Sequence, residues 1–311
     1  MNYILYCCIN KEILVSETIY SVMSLSTSFQ FSKEIVVIIT DFDESRFSIL
    51  RKYENVIIEK ISEHTASDWM RPYIFNVKIR AINYFFNKYR VNVIYSDSDT
   101  VHINSLENAF DRINHGEFFL HSYDRRFTRD NISLSNVAKE QYMAEECKVI
   151  GGEKLAKEII DNGYLIDRAK YPIYSSFIKG NSGILGINYR YQYILENVYE
   201  MANEMYNYYN YINSEEFAFS YAFFQRGNVF KLDNVVMHYY NYKFIRLLLA
   251  YALDYFDGSD KNSYEYYVTT TNIGNPPKNI EQIPSYLRRL KDQNIINNGY
   301  IGFNTDLALG E

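Results

Sequence analysis

Residues 91–102, VNVIYSDSDTVH, contain the side chains whose spacing most directly suggests chemistry. Their β-branched and aromatic start is typical of a buried strand, which we expect to end in Asp97-Ser98-Asp99. In an extended chain residues two apart face the same way, so both carboxylates would face one point and Ser98 the other side. Two adjacent carboxylates repel unless a cation lies between them, and Mg²⁺ or Mn²⁺ prefers such oxygen ligands. The pattern indicates a metal–diphosphate site; the alternative is a solvated turn, in which Asp and Ser are common.

The composition indicates a folded protein and argues against some partners. The chain has 311 residues, of which 47% are hydrophobic, and it contains 32 tyrosines and 20 phenylalanines. Its net charge of −6 includes no basic stretch, so a nucleic acid is not expected as the main ligand. No apolar run reaches the ~18 residues of a membrane span, and residues 1–15 lack the pattern of a secretory signal. The three cysteines form neither a disulfide framework nor a zinc spacing, which favours a reducing compartment, the cytoplasm.

Strands that alternate with helices predict an α/β fold with a parallel sheet. Apolar runs predict buried strands at residues 3–9, 34–40 and 56–61, and helices are predicted at residues 16–28 and 45–53. Ligands of such sheets bind at the carboxyl ends of the strands, where Asn10 and Asp41 would join the aspartate pair. Asp41 would equally serve as a turn residue or helix cap.

A lysine falls on the apolar face of the helix predicted at residues 72–89. Pro72 suits the first turn, and the inward face is formed by Ile74, Val77, Ala81, Ile82, Phe85 and Tyr89. Lys78 lies in the middle of that face, where a charge needs an anion or a route to solvent. It would either pair with a structural carboxylate or reach a phosphate or aspartate of the site.

The second half of the chain adds three further features. Residues 131–170 are helical in character and interrupt the strand pattern, which suits a lid or an acceptor-recognition element. A strand at residues 177–188 contains Asn181-Ser182-Gly183, and glycine in a strand marks the close approach of a ligand or a backbone, or a bulge. Ser214 would cap a helix that opens with Glu215-Glu216.

In chain order, these features resemble GT-A fold glycosyltransferases, most closely the retaining enzymes of glycosyltransferase family 8, which include glycogenin and bacterial lipopolysaccharide galactosyltransferases. The likeness depends on the βα units, the aspartate pair, the Asn181-Ser182-Gly183 strand, the acidic helix start and a late strand that ends in His238. It covers residues 1–245. It implies a Rossmann-like, mostly parallel central sheet flanked by helices, with residues 131–170 as a helical insertion and residues 246–311 as a helical C-terminal extension.

The resemblance also implies roles for single residues. In the family two aspartates and a late histidine coordinate Mn²⁺, which here would be Asp97, Asp99 and His238, a ligand set that suits this ion. The family lysine that holds the diphosphate falls near Lys243, one residue closer to the histidine, and Asn241 replaces the usual glycine. The residues predicted to bind the nucleotide or donor are Asn10, Asp41, Lys78, Asp97, Ser98, Asn181, Ser182, Gly183 and Lys243.

An Asp-Gln pair of the family's sugar pocket maps to Glu215-Glu216. A carboxylate there would orient sugar hydroxyls in a retaining enzyme or deprotonate the acceptor in an inverting one. Retention is favoured and inversion stays open. We prefer Glu216 over Glu215 as the catalytic group, because Glu216 lies nearer the apolar helix face, and Asp124 is the next candidate.

We therefore expect a Mn²⁺- or Mg²⁺-dependent hexosyltransferase. It would move a sugar from a nucleotide diphosphate sugar, in first place a UDP-sugar, to a glycan or lipid-linked acceptor, as in polysaccharide biosynthesis. One alternative is a nucleotidyltransferase, although the segment CCINKEILVSE lacks the glycine-rich phosphate loop expected of one. Another is a catalytically silent sugar- or partner-binding module. The apolar helix at residues 244–256 leaves open an association with the inner face of a membrane.

Overall fold

The computed structural model describes residues 2–28, 34–123, 151–162, 170–172, 179–239 and 243–255, together with residues 282, 283, 285, 286 and 289. Most of the predicted insertion at residues 131–170 lies outside this part of the chain, as does Asp124. Within the insertion, the described stretch is the helix Gly152–Asn162, which agrees with its predicted helical character.

A seven-stranded central sheet, flanked by helices, confirms the predicted α/β class. The strands are β1 (Asn2–Cys8), β2 (Glu34–Thr40), β3 (Val56–Lys60), β4 (Val93–Ser96), β5 (Thr100–His102), β6 (Phe118–Tyr123), β7 (Gly180–Ile187), β8 (Val229–Lys231) and β9 (Val236–His238). The order in the sheet is β3-β2-β1-β4-β7-β6-β8, whereas β5 and β9 form a separate two-stranded ladder.

The helices include the predicted ones that fall in the described part of the chain and two that were not predicted. They are α1 (Ile13–Ser28), α2 (Glu63–Trp69), α3 (Asn76–Tyr89), α4 (Glu107–Asn114), α5 (Gly152–Asn162), α6 (Ile194–Tyr209), α7 (Ser214–Phe224) and α8 (Lys243–Ala252), with 3-10 turns at Glu44–Lys52 and Tyr189–Tyr191. Helices α2 and α4 were not predicted, because their seven and eight residues are fewer than the window of about 11–18 residues in which a helical period is recognised. None of the helices in the described ranges is both long and apolar enough to cross a membrane.

The chain divides into two compact units. Unit 1 consists of Met1–Ala66, Tyr95–Asn108 and Asp233–Glu311, and unit 2 consists of Ser67–Ile94 and Ala109–Leu232. Each unit is therefore built from segments that are distant in the sequence. The boundary predicted at residue 245 between a catalytic domain and an extension stays a prediction.

Unit 1 contains the parallel strands expected from the apolar runs. Strand β2 lies parallel to both β1 and β3, with Tyr3 opposite Ile35 and Val36 opposite Val56. Nearly every side chain of β1 and β2 is buried, as expected of parallel strands covered on both faces. Helix α1 contributes Ile19 and Val22 to this core.

Unit 2 is built around strands β6 and β7, which are antiparallel, with a register irregularity between Leu120 and Ser122. A Cβ added at Gly180 would come within 2.5 Å of the Leu120 side chain, and one at Gly186 within 2.9 Å of Phe119. The two glycines therefore allow close approach of β6. Close packing of the neighbouring strand accounts for them without a ligand.

Two local predictions were wrong. Helix α3 begins at Asn76, so Pro72 is not in its first turn, and Ile74 precedes the helix and is 42% exposed instead of buried. Ser214 is not the N-cap of α7: that position is held by Asn213, and the Ser214 hydroxyl donates to the Tyr211 carbonyl. The predicted inward residues Ala81, Ile82 and Phe85 of α3 are buried.

Candidate functional site

Three metal-ligating side chains converge in unit 1. Asp97 and Asp99 lie between β4 and β5, and β5 pairs antiparallel with β9 so that Thr100 is opposite His238. One ligand atom from each of Asp97, Asp99 and His238 lies within 4.8 Å of the others. The pairing of β5 with β9 therefore brings the late histidine to the aspartate pair.

A turn, not strand alternation, brings the two carboxylates together. Strand β4 ends at Ser96, so Asp97 and Asp99 are not in extended chain as predicted. The Thr100 hydroxyl donates to the Asp97 carbonyl at 2.9 Å and contacts the Ser96 hydroxyl at 2.8 Å, which closes the turn. The Ser98 hydroxyl accepts a hydrogen bond from the Thr18 hydroxyl of α1 at 2.9 Å.

Asp99 is buried and ionised. Its Oδ1 lies 3.0 Å from His238 Nε2, and its Oδ2 accepts a hydrogen bond of 3.1 Å from Arg246 Nη2. Burial alone would raise the pKa of this carboxyl. The imidazole of His238 and the guanidinium of Arg246 outweigh burial and lower the pKa to about 2.

Arg246 links this centre to a buried acid of α1. Its Nε donates to Glu17 Oε1 at 2.8 Å, and Glu17 is fully buried. Burial raises the pKa of Glu17 to about 8, although Arg246 acts in the opposite direction. Neither Glu17 nor Arg246 was predicted from the sequence to be a site residue. The available signal was one arginine within the otherwise apolar segment FIRLLLAYALDYF.

The chemistry of this donor set fits a divalent cation. Two carboxylates and one imidazole are ligands that Mn²⁺ accepts, and carboxylates alone would suit Mg²⁺. With three protein ligands, coordination positions remain for a diphosphate and for water. Asp97, Asp99 and His238 are thus able to hold a metal ion.

A polar network packs beneath β5 in the same unit. The Tyr6 hydroxyl contacts Ser21 Oγ and His102 Nε2, each at 2.9 Å, and Ser21 Oγ lies 2.7 Å from Thr100 Oγ1. Burial lowers the pKa of His102 to about 3, so its ring is neutral at neutral pH. The network ties β5 to β1 and α1.

Asn10 and Asp41, predicted at two strand ends, are brought together in unit 1. The Asn10 backbone N–H donates to both Asp41 carboxylate oxygens, at 3.1 and 3.2 Å. Asn10 has a φ of 71°, a left-handed conformation that asparagine tolerates better than most residues. The pair follows β1 and β2 directly, at their carboxyl ends.

Unit 2 contains a second cluster, centred on Lys78 and Glu215. Both are about 95% buried, and Lys78 Nζ lies 3.7 Å from Glu215 Oε1. Lys78 also donates to Ser182 Oγ at 2.8 Å and to its carbonyl at 3.0 Å, and the Tyr73 hydroxyl donates to Glu215 Oε2 at 2.8 Å. A buried ion pair is stable only if its remaining polar atoms are hydrogen-bonded, and Ser182 and Tyr73 supply such hydrogen bonds here. The predicted donor-binding role of Lys78 stays a prediction.

The neighbouring glutamate has different surroundings. Glu216 is half-buried and accepts a hydrogen bond of 2.8 Å from Asn181 Nδ2. Asn181 Oδ1 in turn accepts the Gly183 backbone N–H at 2.9 Å. The predicted pair of Asn181 and Glu216 therefore lies together within unit 2. Lys243 is the first residue of α8, and its side chain lies outside the described part.

No family model matches the chain, and no curated protein does. Among solved structures it is similar to the WbbM bifunctional glycosyltransferase, at 12% identity and a TM-score of 0.45, over 75% of this chain and 39% of that one. It is similar to galactosyltransferase LgtC in complex with donor and acceptor sugar analogs, at 10% identity and a TM-score of 0.47, over 74% of each chain. It is also similar to the glycosyltransferase GlyE of Streptococcus pneumoniae TIGR4, at 13% identity and a TM-score of 0.42, over 99% of this chain and 62% of that one. At such low sequence identity the residues of a site can differ between two proteins of the same fold, so the roles of residues in this chain are argued from its own contacts.

Proposed function

We propose that the chain is a metal-dependent glycosyltransferase whose donor is a nucleotide diphosphate sugar. The observation that carries the proposal is the convergence of Asp97, Asp99 and His238, whose ligand atoms lie within 4.8 Å of one another. Asp99 and His238 are 139 positions apart in the sequence, and the fold brings their side chains into contact. Their ligand set, after a central strand, suits a divalent cation that holds a diphosphate.

Mn²⁺ or Mg²⁺ bound there would supply positive charge to the departing nucleoside diphosphate. The protein's part is to hold the ligands in place before the reaction. The ladder of β5 and β9 fixes His238 next to Asp99, and the turn closed by Thr100 fixes the aspartates. Such preorganised electrostatic stabilisation is commonly the largest contribution to catalysis.

Asp41 is assigned to the nucleoside of the donor, in first place uridine. The Asn10 backbone N–H orients its carboxylate at the carboxyl ends of β1 and β2, where ligands of parallel sheets bind. Ser98, Lys78, Ser182, Gly183 and Lys243 stay predicted donor-binding residues.

Glu216 is assigned to the reacting sugar, with Asn181 as the residue that orients its carboxylate. Glu215 is fully engaged with Lys78, Tyr73 and Ser182, whereas Glu216 is half-buried. A glutamate in this role would orient sugar hydroxyls with retention, which we favour, or act as a base with inversion. The proposed acceptor is a glycan or a lipid-linked acceptor.

Release of UDP from candidate UDP-sugars tests the proposal, measured with added Mn²⁺ and again with a chelator. We expect release that stops on chelation and returns when Mn²⁺ is restored. Formation of nucleoside triphosphate from a UDP-sugar and pyrophosphate would instead indicate a nucleotidyltransferase. Donor binding without turnover, across a panel of glycan acceptors, would indicate a silent binding module.

A further inference from the structure

Arg246 is bound to the candidate metal centre although it is not one of its ligands. Its guanidinium donates from Nη2 to Asp99 Oδ2 at 3.1 Å and from Nε to Glu17 Oε1 at 2.8 Å. All three residues belong to unit 1. Glu17 is fully buried, so Arg246 is held by a buried carboxyl group as well as by Asp99.

The two oxygens of Asp99 face different partners. Oδ1 faces His238 Nε2 at 3.0 Å, that is, another candidate ligand, whereas Oδ2 faces the guanidinium. A cation that bonds to both Asp99 and His238 would replace the contact between Oδ1 and Nε2 and bond to both atoms. At Oδ2 the same cation would meet the positive charge of Arg246, which already uses one lone pair of that oxygen. Charge-assisted hydrogen bonds of this kind are stronger than neutral ones, and more so when partly buried.

We propose that Arg246 is a positioning residue that restricts Asp99 to a single bond with the metal ion. The inference rests on the proposed metal site. A carboxylate that used both oxygens would occupy two coordination positions, so the restriction leaves one more position for water or a diphosphate oxygen. The positive charge of Arg246 also lowers the affinity of the site for a bare divalent cation. Glu17 holds the guanidinium in place.

Mn²⁺ alone, without nucleotide, is the probe that tests this inference. Its dissociation constant is measured by electron paramagnetic resonance, and the number of water molecules on bound Mn²⁺ is measured by water-proton relaxation. For Arg246→Met we expect about tenfold tighter Mn²⁺ binding, because a repelling charge is removed. We also expect one fewer bound water, because Asp99 Oδ2 becomes available. Weaker or unchanged Mn²⁺ binding, or an unchanged number of waters, overturns the inference.

A double variant guards against loss of folding. Arg246→Met leaves the buried Glu17 carboxyl group without its hydrogen-bond donor, so the single variant carries a risk of unfolding. In Arg246→Met combined with Glu17→Gln both members of the pair carry uncharged side chains, and the same two changes in Mn²⁺ binding are expected. Arg112→Met is the matched control, because Arg112 pairs with Glu117 in unit 2. It should leave both measurements at the wild-type values.

Failure of the metal site itself gives a different result. If wild-type protein and Asp97→Asn bind Mn²⁺ equally weakly, the site is not a metal centre, and both the proposed function and this inference fall. If Asp97→Asn loses Mn²⁺ binding while Arg246→Met equals wild type, the metal site stands and only the role of Arg246 is overturned.

Discussion

At the scale of single residues, Asp97 and Asp99 are an equal pair in the sequence but not in the structure. Asp99 is buried, with His238 on one oxygen and Arg246 on the other, whereas Asp97 is partly exposed. Both aspartates should be required for metal binding, and Asp99 also holds together the side chains of His238 and Arg246. Activity and stability should therefore respond differently to the two substitutions.

Asp97→Asn should abolish transfer and leave the free energy of unfolding within about 0.5 kcal/mol of wild type, as is usual for partly exposed positions. Asp99→Asn should abolish transfer and also destabilise the protein by roughly 1.5–3 kcal/mol, the range for a lost hydrogen bond to a charged group. Metal-dependent UDP release and chemical denaturation measure the two effects. Near-wild-type turnover of either variant would show that its carboxylate is not a required metal ligand.

Lys78→Met should lower the stability of the protein by roughly 3–5 kcal/mol, because it leaves the buried carboxylate of Glu215 without its cation. Combining it with Glu215→Gln should restore most of this loss. Denaturation of the single and double variants, together with UDP affinity, distinguishes the two roles of Lys78. Weaker UDP binding with unchanged stability would support donor binding and contradict the structural ion pair.

At the scale of secondary-structure elements, most strands and helices could be predicted because their apolar runs are long and regular. Strands β1 and β2 are buried on both faces and appear as continuous apolar runs, whereas α3 shows a helical period of buried residues. The convergence of Asp97 and Asp99 was predicted from extended geometry at the end of a strand, whereas the turn they occupy depends on hydroxyl contacts of Ser96 and Thr100. Contacts of that kind leave no periodic signal in a sequence.

Strand β5 makes the stability of the protein depend on pH through His102. Burial lowers the pKa of its imidazole from 6.5 to about 3, so the unfolded chain binds one more proton between these values. Stability should therefore be fully present above about pH 6.5 and fall as the pH decreases toward 3. The free energy of unfolding of wild type minus that of His102→Gln should change by up to ~1.4 kcal/mol per pH unit in this window. A difference that is constant with pH would contradict a neutral, buried His102.

Helix α7 carries two adjacent glutamates, and we expect substitution of one to slow transfer and substitution of the other to lower stability. Glu216→Ala should bind UDP normally and transfer at least ~10²-fold more slowly, the loss expected for a positioned acid or base. Glu215→Ala should chiefly lower stability, since it leaves Lys78 buried without its carboxylate. UDP binding, transfer rates and denaturation of both variants are the measurements. If both variants transfer at the wild-type rate, the catalytic group lies elsewhere, and Asp124 is the next candidate.

At the scale of the whole molecule, the sequence indicated the α/β class and the aspartates and histidine of the candidate site, but not the two-unit construction. The class follows from alternating strands and helices, whereas the units are made of segments that meet only after folding. Arg246 and Glu17 were missed for the same reason. They are 229 positions apart, so nothing in either local segment indicates that the two side chains meet.

Mn²⁺ should raise the unfolding temperature of the protein, because its three ligands are together only in the folded state. At a hundredfold excess over the dissociation constant, the stabilisation expected from mass action is about 2.7 kcal/mol. Thermal unfolding with Mn²⁺ and with chelator measures it, and Asp97→Asn is the control that should show no shift. An equal shift in that control would indicate that Mn²⁺ binds elsewhere.

The ladder of β5 and β9 has a consequence for how the protein is made. Its residue pairs join positions 100–102 to positions 236–238, so the site cannot close while the intervening chain is still being synthesised. A ribosome-bound chain that has exposed only the aspartates therefore carries two of the three candidate metal ligands. Competence to bind Mn²⁺ would then arise late and abruptly during translation, once β9 has left the exit tunnel and paired with β5.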